Sequence, residues 1–285
     1  ARPLSDRACT NKQIESDGVM ESELFHSGPM MTFVGLTLGG LALFSVLTTI
    51  EYLVFFRLAR DRFHPGYRSN WPENLKAARV SIESVLGNAL LLTPVHLAIA
   101  AGYSDIYFDV SEHGWAWLIA SVALMLVLSE TAIYWIHRWL HTEAGWRLHR
   151  RHHQFRENTP WVSLAFHPLD AFAQALPHHL CVFLFPVHGY VYLLSIALVS
   201  CWTFSIHDRV SWVGWKGINY TAHHSLHHWY GDYNYGQFFT LWDRLMGTYR
   251  DPDDARGDIP AALNPRPVLR RSLPGDKPGR GRARA

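Results

Sequence analysis

The sequence is poor in cysteine and lacks the short motifs of several common cofactor and metal sites. Its three cysteines, Cys9, Cys181 and Cys201, form no CxxC pair, so neither a disulfide framework nor a thiolate metal site is expected. The GxGxxG dinucleotide fingerprint, the CxxCH haem-attachment motif and the HExxH motif of zinc hydrolases are all absent. The chain therefore shows no signature of a bound dinucleotide or of a covalently attached haem.

Charged residues are also few. Only 18% of the 285 residues are charged and the formal net charge is +2, which argues against a nucleic-acid-binding surface. Residues 1–28 are polar and contain no apolar run, so we expect no cleavable signal peptide there. Residues 253–285, rich in Pro, Gly and Arg from Pro265 onward, are expected to form a disordered tail.

Long apolar runs are present instead. Four of them are candidates to lie in a membrane: residues 33–56, 85–103, 115–136 and 180–205. The first is almost continuously apolar and is long enough to cross a hydrocarbon layer of roughly 30 Å. The second contains Pro94 and His96 and is weaker. The last is divided by Pro186, His188 and Gly189, which favours a helical hairpin or a kinked, partly immersed pair.

These runs predict an all-α, polytopic membrane protein with about four membrane-embedded helices in a domain over residues 29–252. A soluble helical protein with a very apolar core is the alternative. Basic residues follow the first run, and by the positive-inside rule they place the next loop on the cytosolic side: Arg57, Arg60, Arg62, Arg68, Lys76 and Arg79. We expect the endoplasmic reticulum membrane if the source is eukaryotic and the cytoplasmic membrane if it is bacterial.

Histidine is the most informative residue type. Nine of the 18 histidines lie in two short clusters, the first reading HRWLH and HRRHH and the second HHSLHH. Residues three and four apart share one face of a helix, so each box is expected to direct two or three imidazoles at one point. Imidazole suits Fe, Zn, Cu or Ni rather than Mg or Ca, and eight or more converging imidazoles indicate two metal ions. A chance histidine tract and a structural zinc site are the alternatives.

The candidate metal ligands come from these boxes and from the SIHD sequence before the last one. They are His137, His141, His149, His152, His153, His207, His224, His227 and His228. Glu130, Tyr134, His137 and His141 form one stripe of a helix that continues out of a membrane run. We therefore expect a cytosol-facing, helical, histidine-rich di-metal region over residues 130–252.

Other residues are candidates for additional ligands or for supporting roles. They are Glu130, Tyr134, His167, Asp208, His223, Asp232 and Asp243. His167 either binds metal or caps the helix that Pro168 begins, and His223 lies about 100° around a helix from His224. An aspartate could fix the tautomer of a ligand histidine, although Asp243 could equally pair with Arg244 or cap a helix.

A substrate pocket is indicated only weakly. Its candidate residues are His178, His179, Tyr233, Tyr235, Phe238 and Trp242. The aromatic members could instead be anchors at the membrane interface.

The motifs resemble a known family. HRWLH, LHRRHH and AHHSLHH resemble the three histidine boxes of the fatty acid hydroxylase/sterol desaturase superfamily of membrane di-iron oxygenases. TPWVSLAFHPLDAFAQALPHH, FPVHGYVYL, WTFSIHD and YNYGQFFTLWDRLMGTY are similar to the sterol C5-desaturase (lathosterol oxidase) subfamily. The resemblance is dense over residues 130–252. It departs from the family at Tyr220 and Leu226, where small and polar residues are expected.

The resemblance implies two non-haem iron ions and a reaction that uses O₂ to place a C5–C6 double bond in a Δ7-sterol. Electrons would come from NAD(P)H through a reductase and cytochrome b5. Four arginines beside the second box could meet an acidic donor surface or, equally, lipid phosphate: Arg147, Arg150, Arg151 and Arg156.

Three other functions are compatible with the residues. The same ligand set could serve a hydroxylase of a sterol C4-methyl group, a fatty acyl chain or an alkylglycerol, because substrate geometry decides between alkene and alcohol. A non-catalytic membrane protein that binds metal or lipid is a second alternative. A di-zinc hydrolase is a third, although no general-base motif supports it.

Overall fold

The computed structural model describes residues 28–212 and 214–265. The predicted N-terminal segment up to residue 27 lies outside the described residues, as do Cys9 and the tail beyond residue 265. The described chain is built on the helices α1 (Pro29–Glu51), α2 (Arg60–Phe63), α3 (Trp71–Ala100), α4 (Gly114–Leu140), α5 (Glu143–His153), α6 (Pro168–Leu180), α7 (Gly189–Ser205), α8 (Thr221–Tyr230) and α9 (Leu241–Leu245).

Shorter elements join these helices. A π-helical segment, Tyr52–Leu58, continues α1. The strands β1 (Ile106–Tyr107) and β2 (Val187–His188) pair in parallel. Short 3₁₀ turns cover Val110–Glu112, Pro160–Val162, Cys181–Phe183 and Ala261–Leu263.

Three helical segments of the described chain are long and apolar enough to cross a membrane: Pro29–Leu58, Trp71–Ala100 and Gly114–Leu140. Many of their large apolar side chains point outward, where lipid can cover them. Helices satisfy their own main-chain hydrogen bonds, which a lipid environment requires. The chain is therefore an integral membrane protein of the predicted all-α class. The fourth apolar helix, α7, has only 17 residues.

The predicted division of residues 180–205 is present, but only its second part is a membrane-type helix. Leu180 ends α6, and the chain turns through Cys181–Phe183 and β2 before Gly189 begins α7. A Cβ atom at Gly189 would lie 2.3 Å from the Phe108 ring, so only glycine fits this close approach. The expected helical pair within residues 180–205 is wrong, because this run holds the single helix α7 after a turn and a short strand, and α6 ends where the run begins.

Close helix packing positions the start of α6. A Cβ atom at Gly87 of α3 would lie 2.4 Å from the Pro168 side chain, so the absence of a side chain allows α3 and α6 to approach. α6 also packs against α4, and α3 packs against α1. These contacts bring the first turn of α6 beside the C-terminal end of α4.

The chain reverses direction between α4 and α5. Thr142 begins α5 by accepting a hydrogen bond at Oγ1 from the Gly145 N–H at 3.4 Å. Gly145 lies so close to the main chain of Leu140 that an added Cβ would be 2.5 Å from its Cα. This tight turn brings the histidines of α5 back to the last turn of α4.

The ordered chain extends beyond the predicted boundary at residue 252. Ala255, Ile259 and Leu263 are buried and pack against Leu226 of α8. The prediction that disorder begins at residue 253 is therefore wrong for residues 253–265, because their apolar side chains cover the outer side of α8.

Candidate metal centre

Nine histidines converge in two adjacent groups, and they are the nine predicted candidate ligands. The ligand atoms within each group lie within 4.8 Å of one another. The rings of His153 and His228, one from each group, stack with centroids 4.8 Å apart, so the groups adjoin. The first group is His137, His141, His149, His153 and His227, and the second is His152, His207, His224 and His228.

Two of the histidine boxes divide their side chains between the groups. α5 gives His149 and His153 to the first group but His152 to the second, and α8 also contributes to both. Each residue of a helix turns the side-chain direction by about 100°. The side chains of residues i and i+4 therefore point about 40° apart, and those of residues i and i+3 about 60° apart in the opposite rotational direction. The expectation that each box directs its imidazoles at one point is therefore wrong for these two boxes, whereas His137 and His141 of the HRWLH box both lie in the first group.

The Nδ1 atoms of five histidines are held by oxygen acceptors. His149 Nδ1 donates to Oδ2 of Asp170 at 2.7 Å. A carbonyl or carboxylate oxygen only accepts, so it fixes the proton on Nδ1 and leaves the lone pair on Nε2. Four more Nδ1 atoms donate to main-chain carbonyls: His137 to Tyr235 at 2.8 Å, His207 to Thr203 at 2.7 Å, His227 to Tyr233 at 2.8 Å and His228 to Phe155 at 3.1 Å.

The Nε2 atoms face one another inside the groups. The Nε2 atoms of His137 and His149 are 3.2 Å apart, although both residues place their protons on Nδ1. Two lone pairs at this distance repel unless a cation lies between them. Ligand atoms about 2.1 Å from one ion and at right angles to each other are about 3.0 Å apart. The Nε2 atom of His141 is buried without a hydrogen-bond partner among the described residues. The donor set therefore fits two metal ions, one in each group.

Burial favours the neutral form of the four imidazoles in the second group. It lowers the pKa of His207 to about 4. Burial, followed by the neighbouring imidazoles, lowers the pKa values of His152, His224 and His228 well below their usual range. Neutral imidazole is the form that binds a metal ion, so the second group is ready to bind one at neutral pH.

Sequence reasoning missed the role of Asp170. Its carboxylate is fully buried, accepts the His149 hydrogen bond at one oxygen and accepts a 2.7 Å hydrogen bond from the Gln174 amide at the other. The signal was the aspartate in FHPLD, which follows the helix-starting Pro168. Its pairing with a histidine 21 residues earlier became visible only when α5 and α6 packed together.

Asp243 and Glu130 support the ligands through a loop rather than by touching an imidazole. Asp243 accepts the N–H groups of Tyr235 and Gly236, both at 2.9 Å. Glu130 accepts the N–H groups of Phe238 at 2.9 Å and Phe239 at 3.0 Å. These bonds hold the loop whose Tyr235 carbonyl accepts from the first-group ligand His137.

Tyr134, the other stripe candidate, contacts the same region. Its hydroxyl lies 3.0 Å from Oγ1 of Thr248, which in turn donates to Asp243 at 2.7 Å. The predicted polar stripe therefore begins with two residues that hold the loop, Glu130 and Tyr134, and ends with two candidate ligands, His137 and His141, at the C-terminal end of α4.

His167 and His223 lie outside both groups. His167 begins α6, where its Nδ1 accepts the N–H of Leu169 at 3.2 Å. Of the two roles left open for His167, the structure therefore places it as the helix cap. His223 points away from the groups, with Nε2 3.4 Å from the Tyr249 hydroxyl.

Asp208 and Asp232 also lie apart from the ligands. Asp208 is buried and accepts the N–H of Val210 at 2.6 Å, and burial raises its pKa well above the usual range. Asp232 is exposed to solvent. Among the described residues, neither carboxylate forms a hydrogen bond with a candidate ligand imidazole.

The six candidate pocket residues do not share one surface. His178 and His179 lie at the C-terminal end of α6, where His179 Nδ1 is 2.6 Å from the Tyr192 hydroxyl. Three of the four aromatic residues lie in the loop after α8, and the fourth, Trp242, lies in α9. Their ring contacts are Tyr235 with His141, Tyr233 with Tyr230, Phe238 with Trp202 and Trp242 with Tyr134.

A small cavity lies beside the two groups. Its volume is about 20 Å³, and both groups contribute to its wall. The histidines apart, its lining residues include the apolar Phe166 and Ile206 and the polar Gln174, Thr203 and Gln237. None of the six candidate pocket residues lines it. A cavity of this size holds about one water-sized molecule.

Comparison with known proteins gives one family match. The model of the family described as fatty acid hydroxylase matches residues 122–248, which contain all nine of these histidines. No solved structure matches the chain.

Several curated proteins are similar to the chain. The Delta(7)-sterol 5(6)-desaturase erg32 of Schizosaccharomyces pombe is 42% identical over 206 residues, covering 72% of this chain and 62% of the relative. The lathosterol oxidase of Homo sapiens is 36% identical over 246 residues, covering 84% of this chain and 81% of the relative. The Delta(7)-sterol 5(6)-desaturase ERG3 of Candida albicans is 38% identical over 229 residues, covering 75% of this chain and 58% of the relative. The chain thus spans less than two thirds of the two Delta(7)-sterol desaturases but most of the human protein.

Proposed function

The chain belongs to the fatty acid hydroxylase family, and we propose that it is a sterol desaturase that introduces the C5–C6 double bond into a Δ7-sterol. The reaction would use O₂ and electrons from a cytochrome b5-type donor, which a reductase would supply from NAD(P)H. The relatives named as sterol 5(6)-desaturases and lathosterol oxidase support the substrate class.

The observation that carries the proposal is the pair of adjoining imidazole groups in a membrane protein. Their nine histidines would hold two iron ions, five ligands in the first group and four in the second. Two iron ions in this position would supply the reductive activation of O₂ that removal of two hydrogens from an unactivated carbon pair requires. The all-nitrogen donor set is compatible with iron.

The residues around the cavity define where the reaction would occur. Thr203 Oγ1 accepts a 3.2 Å hydrogen bond from the Gln237 amide, so the polar wall is held by its own hydrogen bonds. Phe166 packs on the ring of His152, with centroids 4.0 Å apart, and contributes an apolar side chain to the cavity wall. A cavity of about 20 Å³ has room for one small molecule such as O₂ but not for bulk water.

The surrounding helices suit a substrate that is dissolved in the membrane. The cavity is lined from the ends of the apolar helices α4 and α7 and from the middle of α6. A sterol in the bilayer could therefore bring its ring carbons to the metal centre along apolar surface. A reacting carbon held within a few ångströms of the site gains the rate advantage of fixed orientation.

The side of the membrane follows from charge. The basic loop between the first two spans and the start of α3 would face the cytosol by the positive-inside rule. Phe155, which accepts the His228 hydrogen bond, packs against Ala77 and Val80 near that end of α3. We therefore propose a cytosolic metal centre, in the endoplasmic reticulum of a eukaryote or the cytoplasmic membrane of a bacterium.

Product analysis tests this proposal. Membranes that contain the chain, cytochrome b5, its reductase and NADH are supplied with lathosterol, and the sterols are analysed by mass spectrometry. A product that has lost two hydrogens, with the absorbance of a conjugated diene and dependence on O₂, is expected. A product that has gained one oxygen atom would identify a hydroxylase instead. An unchanged sterol, in membranes with iron-loaded protein, would reject the sterol substrate.

A further inference from the structure

A surface groove with two cationic side chains runs along α3. It has a volume of about 410 Å³ and is lined by Pro72, Leu75, Lys76, Arg79, Val80 and Glu83. Lys76, Arg79 and Leu75 are exposed. A groove that combines an apolar floor with cationic walls suits a protein partner with an acidic surface.

The positive surface continues from α3 onto α5 and the segment after it. Arg151 bridges the two helices through a 2.7 Å ion pair with Glu83, which lines the groove. Arg150 and Arg156 are exposed on the same segment. Within residues 28–212 and 214–265, no salt bridge engages Lys76, Arg79, Arg150 or Arg156. Four cations without an acidic partner therefore remain available to another molecule.

This surface is separated from a metal ligand by a single residue. The Lys76 ammonium lies 5.3 Å from the centroid of the Phe155 ring. Phe155 is buried, and its carbonyl oxygen accepts the Nδ1 hydrogen of His228 at 3.1 Å. An electron that arrives at the basic surface thus has a short route, through one main-chain carbonyl, to the second group of histidines.

We propose that an acidic one-electron carrier protein docks on the basic surface formed by Lys76, Arg79, Arg150, Arg151 and Arg156, and that Phe155 links this surface to His228. This inference rests on the proposed function, because only a redox reaction needs such a donor. In each docking event the carrier would be oxidised by one electron, and the metal ions that the histidines would hold would accept that electron. Charge complementarity would raise the association rate and make binding sensitive to salt.

The test is a direct binding measurement. The full chain is placed in nanodiscs of phosphatidylcholine, which carries no net charge, and titrated with the soluble haem domain of cytochrome b5. The double variant Arg150→Glu/Arg156→Glu should raise the Kd at least about tenfold at low salt, because two attractive contacts become repulsive. Its binding should also depend less on salt concentration. The single variant Lys76→Glu, on the other helix, should weaken binding in the same direction.

A matched charge reversal provides the control. Arg62 and Arg68 are exposed in the loop after the first span and lie outside the proposed surface. The double variant Arg62→Glu/Arg68→Glu should bind the haem domain with the wild-type Kd. Metal content and thermal unfolding are measured for every variant, and Arg150→Gln/Arg156→Gln replaces the glutamate variant if that one does not fold.

The outcomes separate the docking surface from the enzyme activity. A wild-type Kd for the Arg150 and Arg156 variant would overturn the docking surface, even if the chain desaturates sterols. Weaker binding by that variant, in a protein that changes no sterol, would keep the surface and reject only the reaction. If the variant differs from wild type only in nanodiscs with anionic phosphatidylserine, the arginines bind lipid headgroups and the docking proposal fails.

Discussion

His149 Nδ1 donates a 2.7 Å hydrogen bond to Oδ2 of Asp170, and both side chains are completely buried. This bond joins α5 to the first turn of α6. It also holds the His149 ring so that Nε2 points into the first group. The carboxylate–imidazole pair resembles the arrangement that orients histidine ligands in many metal proteins.

Replacing Asp170 with asparagine should weaken metal binding at the first group by about 10- to 100-fold. The amide of asparagine carries no negative charge, so the His149 imidazole becomes a weaker ligand and its tautomer is less firmly fixed. Metal content of the purified variant, measured at several free metal concentrations, checks the shift. The control is Asp232→Asn, since Asp232 is exposed and should leave metal affinity unchanged.

His207→Ala and His223→Ala form a second matched pair. His207 belongs to the second group, so its loss should remove metal from that group and abolish sterol turnover. His223 is as deeply buried but contacts Tyr249 instead, and its variant should keep both metal ions. Metal analysis and product analysis are made on the same preparations. Full metal content in the His207 variant would remove that residue from the ligand set.

Asp243→Asn should destabilise the protein by about 1–3 kcal/mol. Asp243 accepts two main-chain N–H groups and the Thr248 hydroxyl, and an asparagine amide nitrogen would turn a donor toward one of those donors. Thermal unfolding and metal content are the measurements. The exposed Asp254→Asn serves as the control. Loss of stability without any loss of metal would show that the loop does not position His137.

Acid should destabilise the metal-free protein. Burial lowers the pKa of His207 to about 4 in the folded chain, whereas an unfolded histidine has a pKa of about 6.5. The unfolded state therefore binds more protons between these two values, and the stability present above pH 6.5 is lost as the pH falls toward 4. The apparent melting temperature of metal-free protein in detergent should fall steadily from about pH 7 to about pH 5. A constant melting temperature over this range would contradict the neutral, buried state of His207.

Much of the fold was predictable because membrane helices are encoded locally. The apolar runs around residues 33–56, 85–103 and 115–136 became three spans, since a lipid-facing segment needs only length and apolar composition. The short helix α7 and the packed segment after residue 252 were harder to predict from the sequence. Their structure depends on neighbours, in particular on the approach of Phe108 to Gly189 and of Leu263 to Leu226.

The candidate site was predictable to a similar extent. All nine candidate ligands lie in the two groups, because helical spacing within each box brings its imidazoles close together. The FHPLD sequence offered Asp170 as a buried-site candidate, but nothing local showed that its partner is His149. The carbonyl acceptors of the loop after α8 had no local signal. A hydrogen bond between side chains 21 residues apart depends on how two helices cross.

The sequence by itself determined which residues could bind metal and on which kind of scaffold, since side-chain chemistry and apolar length are properties of short segments. Only the tertiary structure decided how the histidines are divided between the two groups. His149 and His152 lie in the same box, yet they belong to different groups. The rotation of α5 about its axis and the positions of α4, α7 and α8 around it determine which group each imidazole joins.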